Sequence, residues 1–235
     1  MKKYLAKICV VLCLASSVTA ALAGPIEEAA IAFDEGKYSE ALKISMPLAM
    51  KGNVTAQYIL GYIYSNGKGA LLDYAEALKW YRLAAEQGDS ASQSQLAGIY
   101  HNGLGLAPDY KEAVKWYHIA AANGDIHSQY NLALMYKSGQ VVAQNYKEAV
   151  KWYRLAAEQG DASSQAFLAS MYFMGKGVLQ DYTKAHMWSN LAAAGGSDVG
   201  VDFRREFSQK MTHQQINTAQ QMAIECQARN YKKCD

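Results

Sequence analysis

The sequence predicts an all-α fold, a right-handed α-solenoid of antiparallel helix pairs with a 36-residue repeat. One segment occurs in three nearly identical versions, YAEALKWYRLAAEQGD from Tyr74, YKEAVKWYHIAAANGD from Tyr110 and YKEAVKWYRLAAEQGD from Tyr146. The same spacing separates four tryptophans, Trp80, Trp116, Trp152 and Trp188. It also separates five glycines, Gly52, Gly88, Gly124, Gly160 and Gly196. Because one helix pair cannot bury its apolar face alone, each copy is expected to pack against its neighbours.

The first element, residues 1–23, is predicted to be a secretory signal peptide. It begins with Lys2 and Lys3, continues with an apolar run and ends at Ala21-Leu22-Ala23, a small-residue cleavage motif. We therefore expect cleavage near Ala23 and a periplasmic or secreted protein. The run is too short for a transmembrane helix, and no later segment is apolar for the length that a bilayer requires.

The rest of the chain has nearly balanced charge. Removal of the three leader lysines leaves 20 Lys and Arg residues against 21 Asp and Glu residues, a net charge of about −1. Such a chain has no basic stripe, which argues against nucleic acid as a partner. Its 212 residues are enough for one domain with a sizeable core.

Residues 24–53 are predicted to form a divergent N-terminal helix pair. They keep Phe33, Gly36 and Tyr38, but Ile44 stands one period before Trp80. A smaller apolar residue therefore fills the tryptophan position, as expected at the end of a repeat array.

Residues 54–196 are predicted to hold the repeats, each made of two helices. The first helix, for example from about Asp89 to Tyr100, has small and apolar residues at helical spacing. Paired loop glycines such as Gly67 and Gly69 then end the helix and reverse the chain. The second helix begins at a predicted capping box, Asp73-Tyr-Ala-Glu76 in the first copy. Its predicted core stripe in that copy is Ala77, Trp80, Tyr81 and Ala84.

Two repeats depart from this pattern. Val141 replaces the second loop glycine of the third repeat, so we expect a different loop conformation there. Lys184 replaces the glutamate of the last capping box, which predicts a weaker cap.

Residues 197–235 are predicted to close the solenoid with two capping helices. The period is lost after Gly196, and helical patterns run over residues 203–211 and 214–228. Cys226 and Cys234 either form a disulfide that pins the tail to the last helix, with Asn230 turning the chain back, or remain unpaired thiols.

The string A-x-x-x-L-G-x-x-Y-x-x-G-x-G, followed by D-Y-x-x-A-x-x-W-Y-x-x-A-A-x-x-G-D, resembles the Sel-one-like repeat family. These proteins are relatives of the tetratricopeptide repeats with slightly longer units. One copy matches from Ala56 to Asp89, and the resemblance spans residues 26–196. It implies a scaffold or adaptor that holds other proteins. Cysteine-rich members have a disulfide in every repeat, and this chain lacks those cysteines, so its repeats must rely on packing.

By analogy with the tetratricopeptide groove, the first helices are expected to line a concave face that binds a protein or peptide. Function is expected where the copies differ, because packing does not fix those positions. Tyrosine and histidine suit such a surface, since they bury a large area and still hydrogen-bond. The predicted contact residues are Tyr58, Tyr62, Asn66, His101, His127, Tyr130 and Phe173. The same register also includes Ser65, Ser94, Gly98, Asn102, Leu134, Lys137, Ala166, Ser170 and Met174.

No catalytic residue, metal site or cofactor is predicted. Ser65-Asn66-Gly67-Lys68 matches the S-x-x-K pattern of penicillin-recognising enzymes, but it lies in a loop, and no K-T-G or S-D-N motif follows. The five histidines form no close ligand pair, and no phosphate-binding loop is present. Two alternatives to a scaffold remain open: a β-lactamase-like or penicillin-binding hydrolase, and a peptidoglycan-binding module.

Overall fold

The computed structural model describes residues 24–234, so the predicted signal peptide and its cleavage site lie outside the described residues. Every regular element in this range is an α-helix, which confirms the predicted all-α class. The helices are α1 (Pro25–Asp34), α2 (Tyr38–Met50), α3 (Val54–Asn66), α4 (Tyr74–Glu86), α5 (Ser90–Asn102), α6 (Tyr110–Ala122), α7 (Ile126–Ser138), α8 (Tyr146–Ala157), α9 (Ala162–Met174), α10 (Tyr182–Ala194), α11 (Asp198–Ser208) and α12 (His213–Ala228). None of these helices has both the length and the apolar character needed to cross a membrane.

Helix pairs pack in order within each of two compact units. In the first unit, which ends at Pro108, each of α1 to α4 contacts the next helix. The first helices α1, α3 and α5 also touch one another in succession. In the second unit, which begins at Asp109, α6 to α11 pack one after another, and α10 also contacts α12. This packing of adjacent pairs confirms the predicted helical repeat.

The predicted core stripe of α4 is buried. Ala77, Tyr81 and Ala84 are completely buried, and only 4% of Trp80 is exposed. The stripe recurs on the second helices of the later copies, where Trp116, Trp152 and Trp188 are also buried. The tryptophans therefore belong to the core, in agreement with their spacing.

The repeated glutamates do not complete capping boxes. Asp73 accepts hydrogen bonds from the amides of Ala75 and Glu76, as a cap residue should. The Glu76 side chain, however, accepts a hydrogen bond of 3.0 Å from the indole Nε1 of Trp80. The Asp73 amide, which a capping box would use, already donates to the Tyr64 carbonyl at 2.9 Å, so the Glu76 carboxylate accepts from the indole instead.

The glutamate of the next copy also accepts from its tryptophan, whereas the glutamate of the third copy does not. Glu112 accepts from Trp116 Nε1 at 3.2 Å. Glu148 pairs with Lys151 at 3.3 Å, as the earlier glutamates do with Lys79 and Lys115, but the Trp152 indole has no hydrogen-bond partner among the described residues. Across residues 24–234, a complete capping box stands at Thr212, where α12 begins.

The loop glycines and Val141 behave as their residue types predict. Gly69 and Gly177 have positive φ angles of 81° and 76°. Val141 is absent from the left-handed region, so the loop of the third repeat has a different backbone conformation.

The first C-terminal helix begins earlier than predicted. It starts at Asp198 because the Ser197 side chain accepts a hydrogen bond from the Gly200 amide at 3.2 Å. A Cβ on Gly200 would lie 2.6 Å from the Ala192 Cβ, so glycine here permits close approach of α11 to α10. The second helix begins at His213, one residue before the predicted start.

A row of buried glutamines links successive helix pairs. The side-chain amides donate to carbonyls at the end of the preceding helix: Gln57 to Ala49, Gln93 to Ala85, Gln129 to Ala121 and Gln165 to Ala157. Carbonyl groups in the last turn of a helix have no partner within that helix. Each of these carbonyls also accepts a hydrogen bond from a backbone amide after the helix, as Ala121 does from Gly124 at 3.1 Å. The repeated glutamine is therefore a second donor that holds neighbouring pairs in register.

Candidate partner-binding surfaces

Four residues of the first unit form what we call the α3 surface: Tyr58, Tyr62, Asn66 and Lys68. Tyr62 lies edge-on to Phe33, with ring centroids 4.9 Å apart, and stacks on Tyr38 at 6.1 Å. Both neighbours belong to the divergent N-terminal pair. The ring of Tyr62 is therefore held in place on a partly exposed surface.

Lys68 adds a positive charge to this surface. Its Nζ donates to the Tyr62 hydroxyl at 3.4 Å and lies 5.3 Å from the centre of the Tyr38 ring. The hydrogen bond to Tyr62 is the largest cause of a raised pKa of Lys68, so the ammonium group stays charged at neutral pH. Asn66, one turn beyond Tyr62, is exposed and donates to the Tyr62 carbonyl at 2.9 Å.

Tyr58 is less available than Tyr62. Its ring lies 6.4 Å from Phe33 and 6.0 Å from Tyr81, and its partial burial raises the pKa of its hydroxyl. Tyr58 and Tyr62 both contact Phe33, so the predicted pair does form one cluster. Much of the Tyr58 ring, however, supports the packing of α1 and α4.

The S-x-x-K segment does not bring its serine and lysine together. Ser65 Oγ donates to the Tyr62 carbonyl at 3.1 Å and pairs with the Tyr81 hydroxyl at 3.3 Å. Lys68 is directed to Tyr62 and Tyr38 instead. No hydrogen bond joins Ser65 to Lys68, as general-base activation of the hydroxyl would require.

Two positions of the predicted register are corrected. Only 4% of Ser94 and 2% of Ala166 are exposed, so neither side chain is available to a partner. Small residues at these positions pack between helices. His101, at the end of α5, is partly buried.

In the second unit, His127 and Tyr130 line one cleft. Its volume is about 360 Å³, and its other walls are Ile126, Asp161 and Ser163. The Tyr130 ring lies 6.1 Å from Tyr153, and its partial burial raises the pKa of its hydroxyl. Asp161 caps α9, with its carboxylate accepting from the Ser164 amide at 2.6 Å. We call this space the α7 cleft.

Phe173 has a different environment from the other predicted contact residues. It stacks on Phe207 of α11 with ring centroids 4.1 Å apart, and its ring is tilted against that of Tyr182 at 5.3 Å. Its ring is therefore partly covered by the C-terminal helices. We assign Phe173 to the packing of the cap.

The structure joins Cys226 and Cys234 in a disulfide, with their Cα atoms 5.1 Å apart. Asn230 and Tyr231 have positive φ angles of 50° and 62°, and these residues turn the chain back after α12. Between residues 24 and 234, no three His, Cys, Asp or Glu side chains come together as a metal site.

The four repeats coincide with a known sequence family. The Sel1 repeat model matches residues 54–89, 90–125, 126–161 and 162–197, which begin at α3, α5, α7 and α9. The chain belongs to the Sel1 repeat family. Sel1 repeat proteins are typically scaffolds for protein–protein interactions. No curated protein sequence matches the chain.

Solved structures of Sel1 repeat proteins have the same architecture. A protective antigen of uropathogenic Escherichia coli strains, c5321, displays an SLR fold and is 31% identical, with a TM-score of 0.75. The match covers 83% of this chain but only 42% of the antigen. A Sel1 repeat protein from Oxalobacter formigenes is 32% identical, with a TM-score of 0.72, over 76% of this chain and 74% of that protein. A third, from Klebsiella pneumoniae, shares the fold at 23% identity, with a TM-score of 0.50 over 77% of this chain and 89% of that chain.

Proposed function

We propose that the chain is an exported scaffold that binds a protein or peptide through the first helices of its repeats. The observation that carries the proposal is the α3 surface. Tyr62 is already held by Phe33 and Tyr38, and Lys68 lies beside it. An aromatic ring that is fixed before binding loses little conformational entropy in a complex.

The chemistry of the α3 surface favours a segment with an apolar and an acidic side chain. The faces and edges of Tyr58 and Tyr62 offer apolar contact, and Lys68 offers charge. The α7 cleft, with His127 and Tyr130, is proposed as a second contact region. This role requires no catalytic step and no cofactor.

Two further observations support export. Residues 1–23 have the arrangement of a secretory signal peptide. The similar Escherichia coli protein is a protective antigen, a role that is compatible with a location outside the cytoplasm. We propose a periplasmic or secreted location, with cleavage near Ala23.

Site-specific photo-crosslinking tests the surface directly. A photoreactive amino acid replaces exposed Asn66 in one variant and His127 in another, and crosslinking is carried out in intact cells. The matched control places the same amino acid at Tyr110, which is 48% exposed at the start of a second helix. We expect one discrete crosslinked protein from the first-helix positions and none from the control.

A second substitution separates recognition from proximity. Tyr62→Ala, combined with the photoreactive group at Asn66, should reduce the crosslinked product at least about tenfold if the ring is an anchor. Circular dichroism establishes that the variant is folded. Equal crosslinking from Tyr110, or a product unchanged by Tyr62→Ala, would contradict the proposed surface. Detection of the full-length chain in the cytoplasm alone would contradict export.

A further inference from the structure

The helices α10, α11 and α12 enclose a cleft that the repeat does not require. Its volume is about 550 Å³. A second cleft of about 320 Å³ adjoins it and shares Asn190, Arg204 and Gln220 with it. These three polar side chains therefore stand between two open spaces. We call the combined space the cap cleft.

A buried histidine lines the cap cleft at a position where the other repeats are apolar. His186 is 2% exposed. Residues one, two and three periods earlier are Val150, Val114 and Leu78. Packing at this position is thus satisfied by an aliphatic side chain. An imidazole at the same place introduces polar atoms whose burial is unfavourable unless they find partners.

A hydrogen bond fixes the tautomer of this histidine. The Asn190 side-chain amide donates to His186 Nδ1 at 3.1 Å. Because Nδ1 accepts, a neutral imidazole has its proton on Nε2. Burial, followed by the charge of Arg204, lowers the pKa of His186, so the ring is neutral at pH 7. It then acts as a hydrogen-bond donor without adding to the positive charge of the cleft.

The cap cleft has positive charge and no acid to balance it. Arg205 pairs with Asp202 at 3.2 Å, but no carboxylate among residues 24–234 lies within ion-pair distance of Arg204. No Asp or Glu lines either part of the cleft. Guanidinium groups bind carboxylates through two parallel hydrogen bonds, and the amides of Asn190 and Gln220 lie beside it.

The walls beside these polar groups are apolar. Val201 and Ile216 line one part of the cleft. Leu191, Ala223 and Ile224 line the other, and 61% of Ile224 is exposed. A ligand that matches this arrangement has an oxyanion at Arg204 and an apolar group directly attached to it.

We propose that the cap cleft binds the C-terminal carboxylate of a peptide whose last side chain is apolar. The free carboxylate lies at Arg204 with His186, Asn190 or Gln220 as additional donors. The last side chain lies against Val201 and Ile216, or against Ile224. This site is separate from the α3 surface and the α7 cleft, so it stands whether or not the proposed function is correct.

Isothermal titration of the purified full chain with acetyl-Gly-Ala-Leu, which has a free carboxylate, tests the proposal. Its C-terminal amide, sodium octanoate and inorganic phosphate are titrated in parallel. We expect the free-acid peptide to bind at least about tenfold more tightly than its amide. Equal binding of the amide, or octanoate or phosphate binding as tightly as the peptide, would overturn the assignment to a peptide C-terminus.

Three variants locate the site. Arg204→Gln should weaken peptide binding at least about tenfold. The matched control Arg229→Gln removes another arginine of the C-terminal region, which pairs with Glu225 outside the cleft, and should bind as the wild type does. His186→Val introduces the side chain that two of the other three repeats have, so it should fold and bind more weakly. Undiminished binding by Arg204→Gln, or no binding by the wild type, would overturn the proposal.

Discussion

The buried glutamines predict a specific energetic role for Gln129. Its Nε2 donates to the Ala121 carbonyl at 3.1 Å, and its Oε1 accepts from the Gln159 amide at 2.9 Å. The side chain is 3% exposed. Replacement by leucine, which has a similar volume, removes both hydrogen bonds, while the Ala121 carbonyl keeps the hydrogen bond from the Gly124 amide at 3.1 Å.

The expected loss follows from these contacts. Two net hydrogen bonds contribute about 1 kcal/mol each, so about 2 kcal/mol is lost. Leucine recovers part of this through its apolar surface. In a chain of this size, 1 kcal/mol shifts Tm by about 2–4 °C, so Gln129→Leu should lower Tm by up to about 4–8 °C.

Thermal unfolding followed by circular dichroism measures this effect. Gln95→Leu makes the same chemical change at an exposed position of α5 and serves as the control. Gln165→Leu should lower Tm less than Gln129→Leu. The residue one period after Gln159 is Gly195, which has no side chain to donate to Gln165. The reasoning is refuted if Gln129→Leu and Gln95→Leu have the same Tm.

Three further substitutions test other contacts. Burial raises the pKa of Tyr117 to about 12, so the stability that its neutral form contributes below pH 10 is lost between about pH 10 and 12. In urea unfolding at pH 9 and 11.5, Tyr117→Phe should show a smaller loss than the wild type, and an equal loss would contradict this. Gly61→Ala would place a Cβ 2.6 Å from the Tyr81 ring and should lower the free energy of unfolding by about 1–3 kcal/mol, although alanine occupies this position in the other copies. An unchanged urea midpoint would argue against this. Lys184→Glu should stabilise the chain by about 1 kcal/mol by giving the unpaired Trp188 indole an acceptor, and a Tm no higher than that of Lys184→Ala would count against this.

Periodicity predicts the elements of this fold well because each repeat must match its neighbours. The 36-residue spacing places the helix pairs, and Asp73 caps its helix as its residue type requires. The same spacing does not tell which partner a side chain chooses. The Asp73 amide donates to the Tyr64 carbonyl of the preceding helix, a contact that the spacing does not reveal, and Glu76 therefore accepts from the Trp80 indole.

The candidate site is predictable only in part. The sequence identifies Tyr62 as a variable position on a first helix, but its order depends on Phe33 and Tyr38, which precede the regular repeats. The row of buried glutamines is not predicted from the sequence, although its spacing is visible there, since Gln57 and Gln129 are two full periods apart. Polar residues at repeated positions are easily taken for surface residues when the burial of each helix face is unknown.

Where one copy differs from the others at a repeated position, the consequence depends on whether that position is buried. At a partly exposed position, such as Tyr62, a departure leaves part of the side chain available to a partner. At a buried position, a departure must be compensated inside the protein. His186 stands where the other repeats have valine or leucine, and Asn190 satisfies one of its ring nitrogens, so the histidine has no packing advantage over an aliphatic residue. The proposed requirement for a hydrogen-bond donor at the cap cleft accounts for His186, which is why His186→Val separates stability from binding.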